Sequence, residues 1–322
     1  MKIFSKISIV LLSLLACGTF SCKKELAPIS ASSKNAALLP SVYGQVTTVF
    51  TGPTAYGLAV DAALNIYVAD EEPERLLKIT PDSVMSPWPY LNYYFLGIGV
   101  NGITFGPDSA LYFADPNFNL VRRITLGGAL TTVAGQEGIY MTHNDGPVAQ
   151  ATFGYVQKIT SCAEGNLYVT EINFYPPNDI RVITPGAGGI VYTLYKADKP
   201  GSISPWAIAI HLGIVYFSDN SNTIAKIALD GTVSTFATGI AAYDLAFDSS
   251  GNLYASDGVQ NKIFKITPDG MVSTLAGSGA AGSADGVGTD ASFNQPAGLT
   301  VHGDYLYVGD VGNRSIRKIK IK

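Results

Sequence analysis

The sequence has few charged residues. Only 14% of its 322 residues are Asp, Glu, Lys or Arg, whereas an ordinary soluble domain carries about 25%. Acidic residues outnumber basic ones by 25 to 21, which gives a net charge of −4. This balance argues against a nucleic-acid-binding protein, whose surface would carry an excess of Lys and Arg. Hydrophobic residues reach 47%, so the composition also excludes an intrinsically disordered chain.

Cysteine and long apolar runs are scarce as well. Three Cys in a chain of this length exclude a disulfide scaffold. The uncharged run from Ile7 to Phe20 is shorter than the roughly 20 residues that span a bilayer as a helix. Because it follows Lys2 and Lys6, it has the pattern of a secretory signal.

The end of this run resembles a lipoprotein signal of Bacteroidetes-type bacteria, because Ser21-Cys22 is followed at once by Lys23-Lys24-Glu25. The resemblance implies a signal peptide at residues 1–21 and lipidation of Cys22; plain secretion with a free thiol is the alternative. Residues 22–42 are rich in Ala, Ser and Pro and predict a flexible tether. We therefore expect a cell-envelope protein that is held to the outer membrane by its lipid alone, on the periplasmic or the outer side.

One sequence pattern recurs six times in the remaining residues, 43–322. A Tyr-x-x-Asp/Glu segment ends at acids that are 45, 56, 48, 38 and 53 residues apart: Asp70, Asp115, Glu171, Asp219, Asp257 and Asp310. A short apolar alternation precedes most of these segments, a basic apolar strand such as 263–266 follows, and several units then have a Gly-x-apolar-x-Thr strand. Four short strands in a repeat of about 45 residues predict a propeller blade.

The six units predict an all-β, six-bladed β-propeller with four-stranded blades. The last unit lacks its fourth strand, and a matching strand stands at residues 44–50, where Gly44-Gln45-Val46-Thr47 matches Gly270-Met271-Val272-Ser273. We expect residues 44–50 to complete the sixth blade and close the ring, which removes the exposed edges. The fourth strand of the first unit, at 84–88, is the weakest because it contains Pro87.

The units resemble NHL repeats over about residues 44–322. The best copy runs from Gly251 to Asp257 and from Asn261 to Ile266, and the segment Asp285-Gly286-x4-Ala291-Ser292-Phe293 recurs as Asp145-Gly146-x4-Ala151-Thr152-Phe153. The resemblance implies a six-bladed NHL-type propeller. It is specific for fold rather than function, because such propellers include lyases, lactonases and pure binding platforms.

The repeated acids are predicted to be architectural, since Asp side chains at such turns accept backbone N–H groups. His143 differs from His211 and His302 because it lies in the long loop 136–152, on the face where the first strand of each blade begins, which we call the top face. With Glu137 and Asp145 nearby, His143 is a base, a weak metal ligand or a solvated loop residue.

The start of the first strand is aligned in all six units, and the residue types at this point differ from unit to unit. We take the residues at these variable positions as candidates for ligand binding. One aligned position holds Tyr56, Asn101, Gln157, Trp206, Tyr243 and Ala297, and the next holds Gly57, Gly102, Lys158, Ala207, Asp244 and Gly298. Lys158 and Asp244 interrupt a series of small residues, and a charge near the axis is costly unless it is paired or solvated. They either pair across the mouth of the ring or hold a polar ligand. The predicted ligand-binding residues are Tyr56, Asn101, Gln157, Lys158, Trp206, Tyr243 and Asp244.

Aromatic residues in top-face loops add to this set, namely Tyr90, Tyr93, Tyr94, Phe95, Phe118, Phe174 and Tyr175. An aromatic surface with few charges suits a glycan, peptide or protein partner. The sequence therefore favours a non-enzymatic binding platform, monomeric, with no nucleic-acid partner, no cofactor and no metal site. No catalytic residue is assigned.

The family resemblance also implies an alternative, a lactonase or lyase. Gluconolactonase-type propellers hold a divalent metal on the axis with Glu, Asn and Asp, and here only Asn101 and Asp244 match. The Glu is missing, and Lys158 would repel a cation. The streptogramin-lyase type needs His and Glu on the top face, whereas the first-strand mouths of this sequence offer no His.

Overall fold

The repeats fold into six antiparallel sheets that form the blades of a β-propeller. The computed structural model describes residues 42–71, 74–87, 100–139, 142–172, 178–184, 186–199, 201–219 and 222–322. Each blade runs from an innermost strand, which lines the axis, to an outermost strand. The strand that precedes the first blade is β1 (Gln45–Thr51).

Blades 1 to 3 contain the following strands. Blade 1 has β2 (Ala55–Val60), β3 (Ile66–Glu71), β4 (Glu74–Ile79) and β5 (Met85–Pro87). Blade 2 has β6 (Ile103–Phe105), β7 (Leu111–Asp115), β8 (Leu120–Ile124) and β9 (Leu130–Ala134). Blade 3 has β10 (Gly146–Pro147), β11 (Tyr155–Ser161), β12 (Leu167–Ile172), β13 (Asp179–Ile183) and β14 (Ile190–Lys196).

Blades 4 to 6 repeat the arrangement. Blade 4 has β15 (Ile208–His211), β16 (Ile214–Ser218), β17 (Thr223–Ile227) and β18 (Val233–Thr238). Blade 5 has β19 (Ala242–Phe247), β20 (Leu253–Asp257), β21 (Lys262–Ile266) and β22 (Val272–Ala276). Blade 6 has β23 (Gly286–Val287), β24 (Pro296–His302), β25 (Tyr305–Asp310) and β26 (Ser315–Lys320). Single 3₁₀ turns stand at Gly288–Asp290 and Val311–Asn313.

The N-terminal strand closes the ring as the sequence predicts. β1 pairs antiparallel with β26, and Val46 lies opposite Ile319. Blade 6 is therefore built from both ends of the described chain, and its four main strands satisfy one another's backbone groups. The described part of the fourth strand of blade 1 is β5, and it includes Pro87.

Blades 3 and 6 each carry a fifth strand that the repeat pattern does not predict. β10 pairs with β14 of blade 3, and β23 pairs with β1 of blade 6. Both lie in the long loops that contain the repeated Asp-Gly motif. Each of these short strands pairs with the fourth strand of its blade. The outer edges of blades 3 and 6 are therefore partly covered, whereas the fourth strand is the last one in the other blades.

The apolar cores lie between neighbouring blades. Among the described residues, one cluster packs blades 5 and 6 around Phe293 and Leu306, and a comparable cluster packs blades 2 and 3 around Phe153 and Val169. The tyrosines of the repeat fill these seams, and Tyr254 is fully buried with its hydroxyl donating to Asp248. A single blade cannot bury both of its faces, so the ring stabilises every blade through its two neighbours.

The repeated acids serve the architecture, as predicted. Asp70 accepts the backbone N–H of Thr54, Asp257 accepts that of Ala241, and Asp310 accepts that of Asn294, at 2.7–2.9 Å. Each bond ties the end of a second strand to the segment that leads into the innermost strand of the same blade. Among the described residues, no helix is long and apolar enough to span a bilayer.

Candidate functional site

The innermost strands begin with β-bulges in four blades. The pairing register shifts at Tyr56 in blade 1, at Gln157 and Lys158 in blade 3, at Tyr243 in blade 5, and before Leu299 in blade 6. A bulge re-aims the side chains beside it and is common next to functional sites. Here the bulges fall on the two aligned positions at which the sequences of the blades disagree.

Buried hydroxyl groups hold these bulges and connect successive blades. Thr170 accepts the backbone N–H of Lys158 at 3.2 Å and donates to the carbonyl of Trp206 in blade 4 at 2.8 Å. Ser256 accepts the N–H of Asp244 at 3.1 Å and donates to the carbonyl of Ala297 in blade 6.

Ser218 makes the same pair of bonds to Ala207 and Ala242, which connects blades 4 and 5. The repeat pattern alone does not point to these hydroxyls. Their signal is a Ser or Thr immediately before the repeated acid in three of the six units.

Small residues at the second aligned position reflect the close approach of neighbouring strands. A Cβ at Gly102 would lie 2.7 Å from the backbone nitrogen of Ile159, and one at Gly57 would lie 2.9 Å from the carbonyl oxygen of Asn101. Lys158 and Asp244 occupy the equivalent positions of blades 3 and 5, where the bulges direct their side chains across the ring.

Lys158 and Asp244 form an ion pair that crosses the mouth of the ring. Lys158 Nζ lies 3.3 Å from Asp244 Oδ2 and donates to the carbonyl of Tyr56 at 3.1 Å. Asp244 also accepts the backbone N–H groups of Leu245 and Leu299, both at 3.0 Å. The pair therefore joins blades 1, 3, 5 and 6. Of the two arrangements left open by the sequence, the structure shows the pairing.

Burial dominates the titration of both members of this pair. Desolvation lowers the pKa of the Lys158 ammonium, and the charge of Asp244 opposes that shift. Desolvation likewise raises the pKa of the Asp244 carboxyl, against the Lys158 charge and two backbone N–H groups. The charge of each group therefore opposes the neutralisation of the other that burial favours.

Three of the predicted aromatic residues meet at this ion pair. The Tyr243 ring lies 5.7 Å from the Tyr56 ring and 5.8 Å from the Trp206 ring, and Lys158 Nζ lies 4.7 Å from its centroid. All three aromatic residues are half-buried. The Trp206 indole N–H is buried and finds no hydrogen-bond acceptor among the described residues, so any exposed part of the indole is carbon. Tyr56, Trp206 and Tyr243, which we call the aromatic floor, form an apolar surface on a fixed charge pair.

The remaining predicted residues, Asn101 and Gln157, contact each other. Asn101 donates its amide to Gln157 at 3.1 Å, and both are buried. Beyond the ion pair, toward the face opposite the top face, the six innermost strands enclose a cavity of about 300 Å³. The ion pair thus separates the aromatic floor from this cavity.

Several predicted features lie outside the described residues. They are the signal peptide, Cys22, the tether up to residue 41, and the loop aromatics Tyr90, Tyr93, Tyr94, Phe95, Phe174 and Tyr175. Phe118 is described, and its ring lies 5.1 Å from the Arg122 guanidinium in blade 2.

An arginine clamp explains the repeated Asp-Gly motif. In blade 6 the buried Arg317 donates to Asp310 and Asp285, and also to the carbonyls of Ala284 and Ser292. Its guanidinium carbon lies 5.1 Å from the centre of the Phe293 ring.

Blade 3 repeats the clamp around Arg181, which donates to Glu171 and Asp145 and to the carbonyls of Asn144 and Thr152. Burial raises the pKa of Glu171 to about 7, against the opposing charge of Arg181. The motif found in the sequence therefore fastens each long loop to the third strand of its blade.

Removal of the ammonium from the ring mouth should destabilise the protein. We expect Lys158→Met to lower the free energy of unfolding by about 2–4 kcal/mol, because Asp244 stays desolvated without its ionic partner. Urea titration of the variant and the parent measures this difference. The double variant Lys158→Met/Asp244→Asn should recover at least half of the loss.

Lys320→Met is the matched control. Lys320 also pairs with an aspartate, Asp304 at 2.9 Å, and lies 4.7 Å from a tyrosine ring, but Asp304 is largely exposed. Its loss should cost no more than about 1 kcal/mol. Equal effects of the two substitutions would show that the Lys158 pair is solvated.

Comparisons with known proteins place the fold. No family model matches the chain. Among curated proteins, it is 32% identical over 189 residues to Suppressor of Quenching 1, a chloroplast protein of Arabidopsis thaliana. The match covers 52% of this chain and only 17% of that protein.

Solved structures match over most of the chain. An auxiliary nutrient binding protein from Bacteroides ovatus superposes with a TM-score of 0.65 at 14% identity, over 86% of this chain and 77% of that one. A virginiamycin B lyase from Staphylococcus aureus gives 0.61 at 16% identity, over 86% and 99%. A gluconolactonase from Xanthomonas campestris gives 0.58 at 13% identity, over 86% and 87%. At these identities the likeness establishes a shared β-propeller fold.

Proposed function

We propose that this chain is a cell-envelope binding protein that holds a glycan, peptide or protein partner on the top face of its propeller. The observation that carries the proposal is the aromatic floor on the Lys158–Asp244 pair. Aromatic faces supply contact area at low entropic cost, and a small number of fixed polar groups around them orients a ligand.

One of the structural neighbours supports a binding role, whereas the virginiamycin B lyase and the gluconolactonase are enzymes. The auxiliary nutrient binding protein from Bacteroides ovatus shares the fold over 86% of this chain. Membership in the NHL-repeat family, the boundary between tether and propeller near residue 43, and the lipid anchor at Cys22 belong to the same proposal. An anchored propeller would hold its ligand close to the membrane surface, which suits an accessory role in uptake.

The enzymatic alternative is disfavoured by the residues at the ring mouth. The lactonase resemblance would place a divalent metal at Asn101 and Asp244. Instead, the Asp244 carboxylate faces the Lys158 ammonium at 3.3 Å. These residues do not fit a cation on the axis, since Lys158 already supplies the positive charge there.

Binding measurements with Tyr243→Ala and Trp206→Ala test the proposal. The probes are panels of starch-, xylan- and mucin-derived oligosaccharides and a library of soluble peptides, measured by calorimetry on the protein without its lipid. We expect each variant to weaken binding of the probe that the parent binds by at least about tenfold, because the floor contributes the central contacts.

Tyr192→Ala is the control, because Tyr192 is an exposed aromatic residue on the outermost strand of blade 3. It should leave binding unchanged. The proposal is wrong if the parent binds none of the probes, or if the floor variants bind as the parent does. A calcium-dependent opening of gluconolactone by the parent that Asp244→Asn abolishes would establish the enzymatic alternative instead.

A further inference from the structure

A second group of polar residues lies at the top face of blade 3, away from the ring mouth. His143 comes from the loop between blades 2 and 3, Glu171 from the end of β12, and Asp179 from the start of β13. Their ligating atoms all lie within 4.8 Å of one another, and His143 Nδ1 is 3.2 Å from Asp179 Oδ2. Three separate segments thus bring one imidazole and two carboxylates together.

Asp179 is the unusual member of this group. The residue is 1% exposed, and its second carboxylate oxygen, Oδ1, is buried without a hydrogen-bond donor from the described residues. A buried carboxylate oxygen that lacks a partner is costly, and native proteins rarely keep one without a reason. The group therefore contains a strong acceptor that no donor of the described chain satisfies.

The clamp in blade 6 provides an internal comparison. Arg317 is held there as Arg181 is held in blade 3, with the same kinds of partners at each position. Yet Ser283 stands two residues before the clamp aspartate, where blade 3 has His143, and Ser315 stands where blade 3 has Asp179. The clamp therefore requires neither the imidazole nor the second carboxylate. Their presence in blade 3 is an addition to the repeated architecture.

The charges around the group favour a cation. The carboxylates of Asp145 and Glu171 pair with the Arg181 guanidinium, and Lys196 lies opposite Asp179 in the register of β13 and β14. When all three carboxyl groups are ionised and the imidazole is neutral, three negative charges oppose two positive ones. Each carboxylate oxygen has two lone pairs, so Glu171 can retain its bond to Arg181 while it offers another electron pair.

We propose that His143, Glu171 and Asp179 bind a divalent transition-metal cation, for which Zn²⁺ is the best-suited candidate. One imidazole nitrogen and two carboxylate oxygens form a donor set that Zn²⁺ accepts, with water completing the coordination. The His143 side chain is 33% exposed, which gives solvent access to the site. The sequence predicted no metal site, although it left open that His143 is a weak metal ligand, and the site proposed here is independent of the aromatic floor.

Zinc binding by the full-length protein tests the inference. The metal content after equilibrium dialysis against ZnCl₂ should be one Zn²⁺ per chain, and Zn²⁺ should raise the thermal unfolding midpoint. His143→Ser and Asp179→Ser introduce the residues that blade 6 carries at these positions. Each should weaken Zn²⁺ binding by at least about tenfold, because each removes a direct ligand.

His302→Ser is the matched control for nonspecific binding to histidine, since His302 lies at the end of β24, where it leads into the next turn. It should leave both the stoichiometry and the midpoint shift intact. If Asp179→Ser does not fold, the partly exposed His143→Ser still decides the outcome. The inference is wrong if the parent retains no Zn²⁺, or if His143→Ser retains it as tightly as His302→Ser does.

Discussion

Arg317→Met is expected to lower the free energy of unfolding by about 3–5 kcal/mol, since removal of one member of a buried ion pair leaves an uncompensated charge. The side chains of Arg317 and Asp310 are both fully buried, and Arg317 Nη1 lies 2.8 Å from Asp310 Oδ2. The substitution also removes the donors that serve the carbonyls of Ala284 and Ser292. Methionine retains much of the apolar stem of arginine, so the loss reports mainly on the guanidinium.

Arg123→Met is the control for this prediction. Arg123 pairs with Asp108 at 2.7 Å, but the two side chains are 30% and 37% exposed. Exposed pairs contribute no more than about 1 kcal/mol, so this variant should remain close to the parent in guanidinium titration. If Arg317→Met and Arg123→Met destabilise the protein equally, the clamp does not hold the loop of blade 6.

The pH dependence of the Arg317→Met variant gives a second readout. Burial already raises the pKa of Asp310, and Arg317 is among the groups that oppose the shift. Without Arg317 the pKa of Asp310 in the folded state rises further, while its value in the unfolded state does not change. A raised carboxyl pKa destabilises the folded protein more as the pH increases. The difference in stability between the variant and the parent should therefore shrink as the pH is lowered.

Val46→Asp is expected to have a comparably large effect. Val46 lies in the closing strand β1, is fully buried, and packs in the core between blades 5 and 6 with Tyr254 and Phe293. A carboxylate there has no partner, and its burial should cost about 4 kcal/mol or more. The loss should appear as a lower midpoint of chemical unfolding, because it loosens the strand that joins the two ends of the ring.

Val272→Asp is the matched control for this prediction. Val272 holds the same repeat position in the outermost strand of blade 5, but it is 42% exposed. A surface substitution of this kind changes stability by about 0.5 kcal/mol or less. If both substitutions have the same small effect, β1 does not complete blade 6 in solution.

The repeated pattern was sufficient to predict the blades. Strand alternation, turn residues and the spacing of the acids are local properties, and each unit carries them in its own sequence. The match between residues 44–50 and the fourth strand of blade 5 also predicted how the ring closes. The fifth strands β10 and β23 were missed, because two-residue strands such as Gly146–Pro147 and Gly286–Val287 have no alternation to detect.

The candidate site could be predicted only in part. Lys158 and Asp244 stood out because they replace small residues in a series of aligned positions. This replacement can be recognised from the sequence alone. Whether they pair depends on the diameter of the ring and on the bulges that turn their side chains, and neither is written in a local pattern. The group around His143 is a similar case, because the sequence associated it with Glu137 and Asp145, whereas the fold places Asp179 and Glu171 beside it.

By itself, the sequence determined the fold of this protein: six blades of short strands, joined by an N-terminal strand to the last. These features follow from short-range periodicity, which acts within each unit. Only the tertiary structure decided which residues at equivalent repeat positions are buried and which are exposed. Val46 is buried, for example, whereas Val272 is 42% exposed. The tertiary structure also decided which distant charges meet, as Lys158 and Asp244 do. Burial and ion pairing depend on the neighbours that the closed ring supplies, and those neighbours come from other blades.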